Sequence, residues 1–159
     1  MQRVSGAEPQ YLRIAHKRKG TYVIAVDVQQ EDDGQYSYVE YFFDHLPSLE
    51  EVRAAINSYY NSITDEAILS GFTYEGVPVW LSGENQLNFK AAFDLAIQTD
   101  GENLPVKFKF GTEMEPVYKT FTSVEQLKDF YVSALTYIQE CIEAGWEKKD
   151  AIDLNSYRP

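Results

Sequence analysis

Apolar residues recur along this chain with two periods, and the switches between them mark out helices and strands. The longest stripe, Val124, Leu127, Tyr131, Ala134, Ile138 and Cys141, advances by alternating steps of three and four, so it occupies one helix face. Ser123 is placed to cap that helix, with Gln126 three residues on to complete a capping box. Gly145 is expected to end it in a left-handed conformation, leaving Lys148 and Lys149 in a short final turn. An earlier helix opens at Ser48, with Glu51 as its box partner and Leu49, Val52, Ile56, Tyr59 and Ile63 as its stripe. Asn61 to Asp65 weaken it, Ala67 to Leu69 add a turn, and Gly71 stops it. Between the two, a helix from Ser82-Gly83 to about Gln98 turns Phe89, Phe93, Ala96 and Ile97 toward the core, and Asp100-Gly101 closes it.

Strand signals precede each helix. Residues 11–16 and 21–28 read as a hairpin turning at Lys17 to Gly20, with Tyr22, Ile24, Val26 and Val28 on one face. Glu31-Asp32-Asp33-Gly34 predicts a tight turn with both central residues at positive φ, and residues 36–43 return antiparallel. Residues 72–74 and 77–81 form a short hairpin around Glu75-Gly76. Pro78 has no amide to donate, which places its strand at a sheet edge where a partner could pair. Val106, Phe108 and Phe110 alternate with Lys107 and Lys109, and residues 117–121 return after a turn.

The fold class is therefore α+β: antiparallel strands and hairpins packed against about three amphipathic helices, in repeated strand-strand-helix units. Connections this short exclude parallel crossovers. Residues 1–10 read as a flexible arm, 11–71 as a strand meander plus helix and 72–159 as two further units, in one compact domain overall.

With 44% hydrophobic and 14% aromatic residues in 159, there is ample core material for a domain that buries roughly 70% of its unfolded surface. The net charge of −11 repels phosphate backbones, so no nucleic acid is expected, and Lys17-Arg18-Lys19 reads as a solvated turn before Gly20. Cys141 has no internal disulfide partner, which points to a reducing compartment. The opening residues, MQRVSGAEPQ, lack the apolar run of a signal peptide. No stretch approaches the roughly 18 apolar residues that would span a membrane, so none is expected to be involved.

Chemistry is sparse. His16 and His45 are the only histidines, and Asp44 and His45 would point to opposite faces of a strand, pairing only if the strand has ended. Glu31-Asp32-Asp33 and Glu113-Met114-Glu115 lack the ligand spacing of a calcium loop. Phosphate loops, a nucleophile elbow and paired CxxC motifs are missing from the sequence. The expectation is a protein that is not an enzyme, with no catalytic residue, cofactor or metal. Binding is better served. Tyr36, Tyr38 and Phe42 share a strand face, Tyr41 and Phe43 share the other, and Tyr59-Tyr60 sit on the adjoining helix, a tyrosine platform suited to glycan or protein. The candidate partner-binding residues are Tyr36, Tyr38, Tyr59, Pro78 and Trp80.

Residues from about Phe72 to Asp153 resemble a small domain of unknown function that recurs in bacteriophage and prophage tail proteins. Val77-Pro78-Val79-Trp80-Leu81 is similar to its first strand, Gln86-Leu87-Asn88-Phe89 to its helix entry, and Val106 to Phe110 to its central strand. Phe121 to Leu127 is similar to the turn into its long helix, and Lys148 to Ile152 to its closing segment. The family's central strand usually carries a tryptophan where this chain has Phe108 or Phe110. The resemblance implies a non-enzymatic, tail-associated structural or assembly role through protein contacts, in the bacterial cytoplasm or on the virion, with a protein partner or self-association. The alternative is a stand-alone carbohydrate- or peptide-binding module using the tyrosine-rich surface.

Overall fold

A computed structural model describes residues 3–158. Each helix follows a strand pair, as the periodicity requires, and the fold is α+β with antiparallel sheets. Where the sequence reads one compact domain with a boundary near residue 71, the chain forms two compact units. One holds the described residues up to Tyr60 together with those from Lys148; the other is Asn61–Glu147.

In the first unit β1 (Arg3–Gly6), β2 (Leu12–His16), β3 (Thr21–Gln30) and β4 (Tyr36–Phe43) form one sheet in the order β1-β4-β3-β2. Arg3–Gly6 falls in the stretch expected to be a flexible arm, yet it pairs with β4 from Arg3 opposite Val39 to Gly6 opposite Tyr36. Met1 and Gln2, the rest of that stretch's start, lie outside the described residues. Ile24, Val26 and Val39 pack against Val52, Ile56, Tyr59 and Tyr60 of α1 (Leu49–Ser70). On the other sheet face Arg13 and Glu40, ion-paired at 2.7 Å, lie beside buried Val23 and Ala25. The chain returns to this core at its end: Tyr157 is buried and its hydroxyl donates to the Ala25 carbonyl at 2.9 Å.

The turn between β3 and β4 differs from expectation, because only Gly34 has positive φ there. The Asp33 carboxylate accepts from the Gln35 amide at 2.9 Å, and Glu31 N–H donates to Gln35 O, closing a three-residue loop in place of the two-residue one. The capping box at Ser48 forms as expected: Glu51 N–H donates to Ser48 Oγ, and Glu51 accepts from the Ser48 amide at 2.8 Å. Ile63, expected in the α1 stripe, is exposed, since it lies past Tyr60 where the first core ends.

The second unit contains the hairpins β5 (Thr73–Tyr74) with β6 (Val77–Pro78) and β7 (Val106–Gly111) with β8 (Pro116–Phe121), α2 (Gly83–Gln98) and most of α3 (Val124–Asp150). Its core is an aromatic cluster centred on Phe130, whose ring lies 5.0 to 5.2 Å from those of Phe89, Phe110, Tyr74 and Phe121. Phe130 is absent from the stripe read off the sequence, which took Tyr131 as the inward residue at that turn. Ile97 is exposed because the buried face of α2 ends at Ala96.

Gly145 does not end α3. The helix continues to Asp150, and Gly145 is buried within it, where a Cβ would lie 2.3 Å from Thr64 Oγ1. Its lack of a side chain serves close approach, not a left-handed stop. Gln126 N–H donates to Ser123 Oγ as expected, but the Gln126 side chain accepts from the Thr122 amide at 3.0 Å, one residue earlier than the box predicts.

Candidate functional site

The second unit carries a groove of ≈ 590 Å³ that includes Pro78 and Trp80. Its first wall follows from local alternation. Glu75 and Gly76, both at positive φ, turn the hairpin; Val79 N–H then donates to Phe72 O at 2.9 Å and Leu81 N–H to Leu69 O at 3.0 Å. These bonds fix Val79 and Leu81 inward, and the period of two turns Pro78 and Trp80 outward, with Trp80 51% exposed. The first turn of α2 holds this backbone from behind. Asn85 Nδ2 donates to Trp80 O at 2.8 Å, Gln86 Nε2 donates to Leu81 O at 2.7 Å, and Ser82 Oγ caps the helix by accepting from the Asn85 amide.

The facing wall is Lys109 to Glu113, with buried Phe110 beneath. Gly111 (φ +80°) lets the hairpin turn there, since a Cβ would lie 2.2 Å from Glu115 O. The groove therefore offers an exposed indole, one cation in Lys109, one carboxylate in Glu113, and the amide of Asn85. That is a surface for an extended or ring-shaped polar ligand with an apolar face. The sequence singled out Pro78 and Trp80, but not Asn85, Lys109 or Glu113. The outward alternation of Lys109 on β7 was the available signal for one of these; nothing local marks the others.

The tyrosine platform is not assembled as expected. Tyr36 and Tyr38 are half-buried, on the β4 face opposite Ser37 and Val39. Tyr59 is buried among Val26, Val39 and Ile56, with its hydroxyl donated to Asp27 at 2.8 Å, so it shares no exposed surface with them. Pro78 and Trp80 belong to the other unit.

Tyr59 instead belongs to a polar cluster around Asp27, a residue at positive φ where β3 bulges. Asp27 is ion-paired with Arg3 and accepts from Tyr59, from Tyr60 at 3.4 Å and from Gln29 at 3.0 Å, while Arg3 also donates to Ser37 Oγ at 2.9 Å. Burial alone would raise the Asp27 pKa, but the bonds from Gln29 and Tyr59 and the Arg3 charge outweigh it and hold it below the usual value. Burial, then the Asp27 charge, pushes Tyr60 up to about 12.

His45 lies past the end of β4, so the pair with Asp44 does form, with Nδ1 2.7 Å from Asp44 Oδ1 and Nε2 2.9 Å from Glu51 Oε1. Hydrogen bonds to Asp44 and then Glu51 raise the His45 pKa. The Ser48 amide and hydroxyl, then His45, draw Glu51 down to about 2. The group lies at the surface, with His45 and Glu51 about half exposed, and its geometry is that of a helix cap. Among the described residues no group of three or more His, Cys, Asp or Glu is arranged to hold a metal ion, and no helix is long and apolar enough to cross a membrane.

The fold is thus that of an α+β protein of strand-strand-helix units, with a groove on its second unit. The chain belongs to the family described as Domain of unknown function (DUF4376), which matches residues 51–158. No curated protein and no solved structure matches it.

Proposed function

We propose that this chain is a non-enzymatic protein that works by binding another protein through the Trp80 groove, in the tail region of a bacteriophage or prophage. The observation that carries the reading is the indole of Trp80, half exposed beside the Pro78 edge, its backbone carbonyl held by a hydrogen bond from Asn85. Exposed tryptophan on a fixed backbone is typical of the residues that dominate protein interfaces. The placement in a phage tail rests on the likeness of residues 72–153 to the tail-protein domain, and with it the location, the host cytoplasm or the virion.

A photo-cross-linking amino acid substituted at Glu113, in the wall facing an intact Trp80, tests this in the cell of origin. The reading expects one predominant cross-linked product containing a tail protein; cross-links spread over unrelated abundant proteins would refute it. A second reading, a carbohydrate-binding module, is favoured by the company of Trp80 with Asn85 and Glu113 in one groove. Glycan-array binding that disappears in Trp80→Ala would select it.

A further inference from the structure

Strand β1 lies at the opposite edge of its sheet from the strand that follows it. In the order β1-β4-β3-β2, the residues between Gly6 and Leu12 must cross β4 and β3 to reach β2. They must also travel along the strands. Gly6 stands opposite Tyr36, whereas the Tyr11 carbonyl accepts from Ala25 N–H at 3.0 Å, and Ala25 stands opposite Glu40. Three strand spacings sideways and four residues lengthwise make a diagonal of about 19 Å on a flat sheet. Five steps of chain, from Gly6 to Tyr11, reach about 18 Å at full extension. Twist of the sheet brings the corners together, and the connection fits only when drawn out. The chain accordingly bends sharply at Ala7 and at Tyr11 and not between them.

Among the described residues, those from Ala7 to Gln10 hold no hydrogen bond, so nothing along this strap offsets its lost freedom. The strand it carries is held well. Each residue of β1 pairs with β4, and Arg3 is ion-paired with Asp27 and donates to Ser37 Oγ at 2.9 Å and to the Tyr59 hydroxyl at 3.3 Å. A firm dock on a strap at the limit of its length is one for which a second molecule competes. The effective concentration of a tethered strand is highest when the span matches the average length of the tether, and it falls as the span nears full extension. A flexible chain of five residues averages about 12 Å, well short of this diagonal.

We infer that β1 is exchanged between two copies of the chain: Arg3–Gly6 of each adds to β4 of the other, and its Arg3 takes the other copy's Asp27. The dock itself names the occupant. Its strand pairs, its ion pair and its hydrogen bonds are those that β1 makes in one chain, and all are kept on exchange. Only the strap changes, released from a path that needs its full length.

The test is light scattering of the purified full chain at about 100 μM, a concentration that populates even a micromolar dimer, with the length of the strap varied. The mass of two chains is expected for the wild type. Inserting six Gly and Ser residues between Glu8 and Pro9 makes a strap that averages about 18 Å, close to the span, and should give the mass of one. Deleting Glu8 and Pro9 leaves a strap too short for the diagonal, and the folded product should have the mass of two chains only. Exchange is read separately from mere association. Val4 stands opposite Tyr38. In Cys141→Ser, chains carrying Val4→Cys and chains carrying Tyr38→Cys, refolded together and oxidised, should be joined to one another by a disulfide. A wild type of one-chain mass, a dimer undiminished by the longer strap, a folded monomer of the shortened chain, or no disulfide between positions 4 and 38 would each overturn the proposal. None of these residues lines the Trp80 groove. Failure of the Trp80 reading would leave the exchange intact, and a monomeric chain would leave cross-linking at the groove intact.

Discussion

Gly145 of α3 and Thr64 of α1 approach so closely that a Cβ on the glycine would lie 2.3 Å from Thr64 Oγ1 and 3.5 Å from Thr64 Cβ. Both residues belong to the second unit. Helix propensity alone predicts that Gly145→Ala gains about 1 kcal/mol inside a helix. The close contact reverses the sign, and a loss of about 1 to 3 kcal/mol is expected in thermal or urea unfolding. In a Thr64→Ala background the clash is removed, and Gly145→Ala should then become neutral or stabilising. A loss undiminished in that background would show that the contact is not the cause.

Asp27 organises the polar cluster under the first sheet, so its removal strands several groups together. Asp27→Ala leaves Arg3 and two tyrosine hydroxyls without their acceptor and should cost about 2 to 3 kcal/mol. Asp27→Asn keeps a residue that tolerates positive φ and should cost less. Because the folded carboxyl titrates below its ordinary value of 3.8, its contribution is present above that pH and is lost as pH falls. Urea unfolding of both variants at neutral and acid pH checks the order, and the gap from wild type should narrow in acid.

Tyr41 makes the opposite case. Its hydroxyl is buried with no hydrogen-bond partner among the described residues, and burial raises its pKa. Tyr41→Phe should therefore be neutral or stabilising by up to about 1 kcal/mol, whereas Tyr157→Phe, which loses the bond to Ala25, should cost about 1 kcal/mol. Equal losses in the two variants would contradict this assignment of their hydroxyls.

The cap of α1 should titrate in two windows. Glu51 at about 2 sits below its ordinary 4.5, so the stability it contributes is complete above pH 4.5 and disappears as pH falls toward 2. His45 is raised above 6.5, so its contribution is complete below 6.5 and is lost as pH rises through the raised value. Proton NMR should place the His45 midpoint above 6.5 and bring it down in Asp44→Asn. An unchanged midpoint in that variant would remove Asp44 as the principal cause.

The elements were legible in the sequence wherever one local rule sufficed. Residues 36–43, the Ser48-Glu51 box, the Glu75-Gly76 turn and the Val106-Phe108-Phe110 alternation follow from period and turn chemistry alone. What depended on a distant neighbour was not legible. Gly145 looked like a stop because its reason for being glycine, Thr64, lies far away in sequence; Arg3–Gly6 looked loose because its order comes from β4. Tyr59 fitted both the α1 stripe and an exposed platform in the sequence, and only its burial, with the hydroxyl on part-buried Asp27, separates the two. Of the groove, Pro78 and Trp80 could be found from the missing amide and the outward period. Lys109 and Glu113 joined them only through folding of a second hairpin.

The central claim, that the chain acts by binding a tail protein through Trp80, is tested most directly by affinity purification of the full chain from its own host cells, with Trp80→Ala in parallel. The account predicts that the wild type recovers a phage or prophage tail protein in near-equal amount, and that folded Trp80→Ala recovers at least tenfold less, the loss of about 1.4 kcal/mol or more expected of an interface anchor. Recovery of the wild type without a tail protein, or equal recovery of that protein by Trp80→Ala, would contradict it.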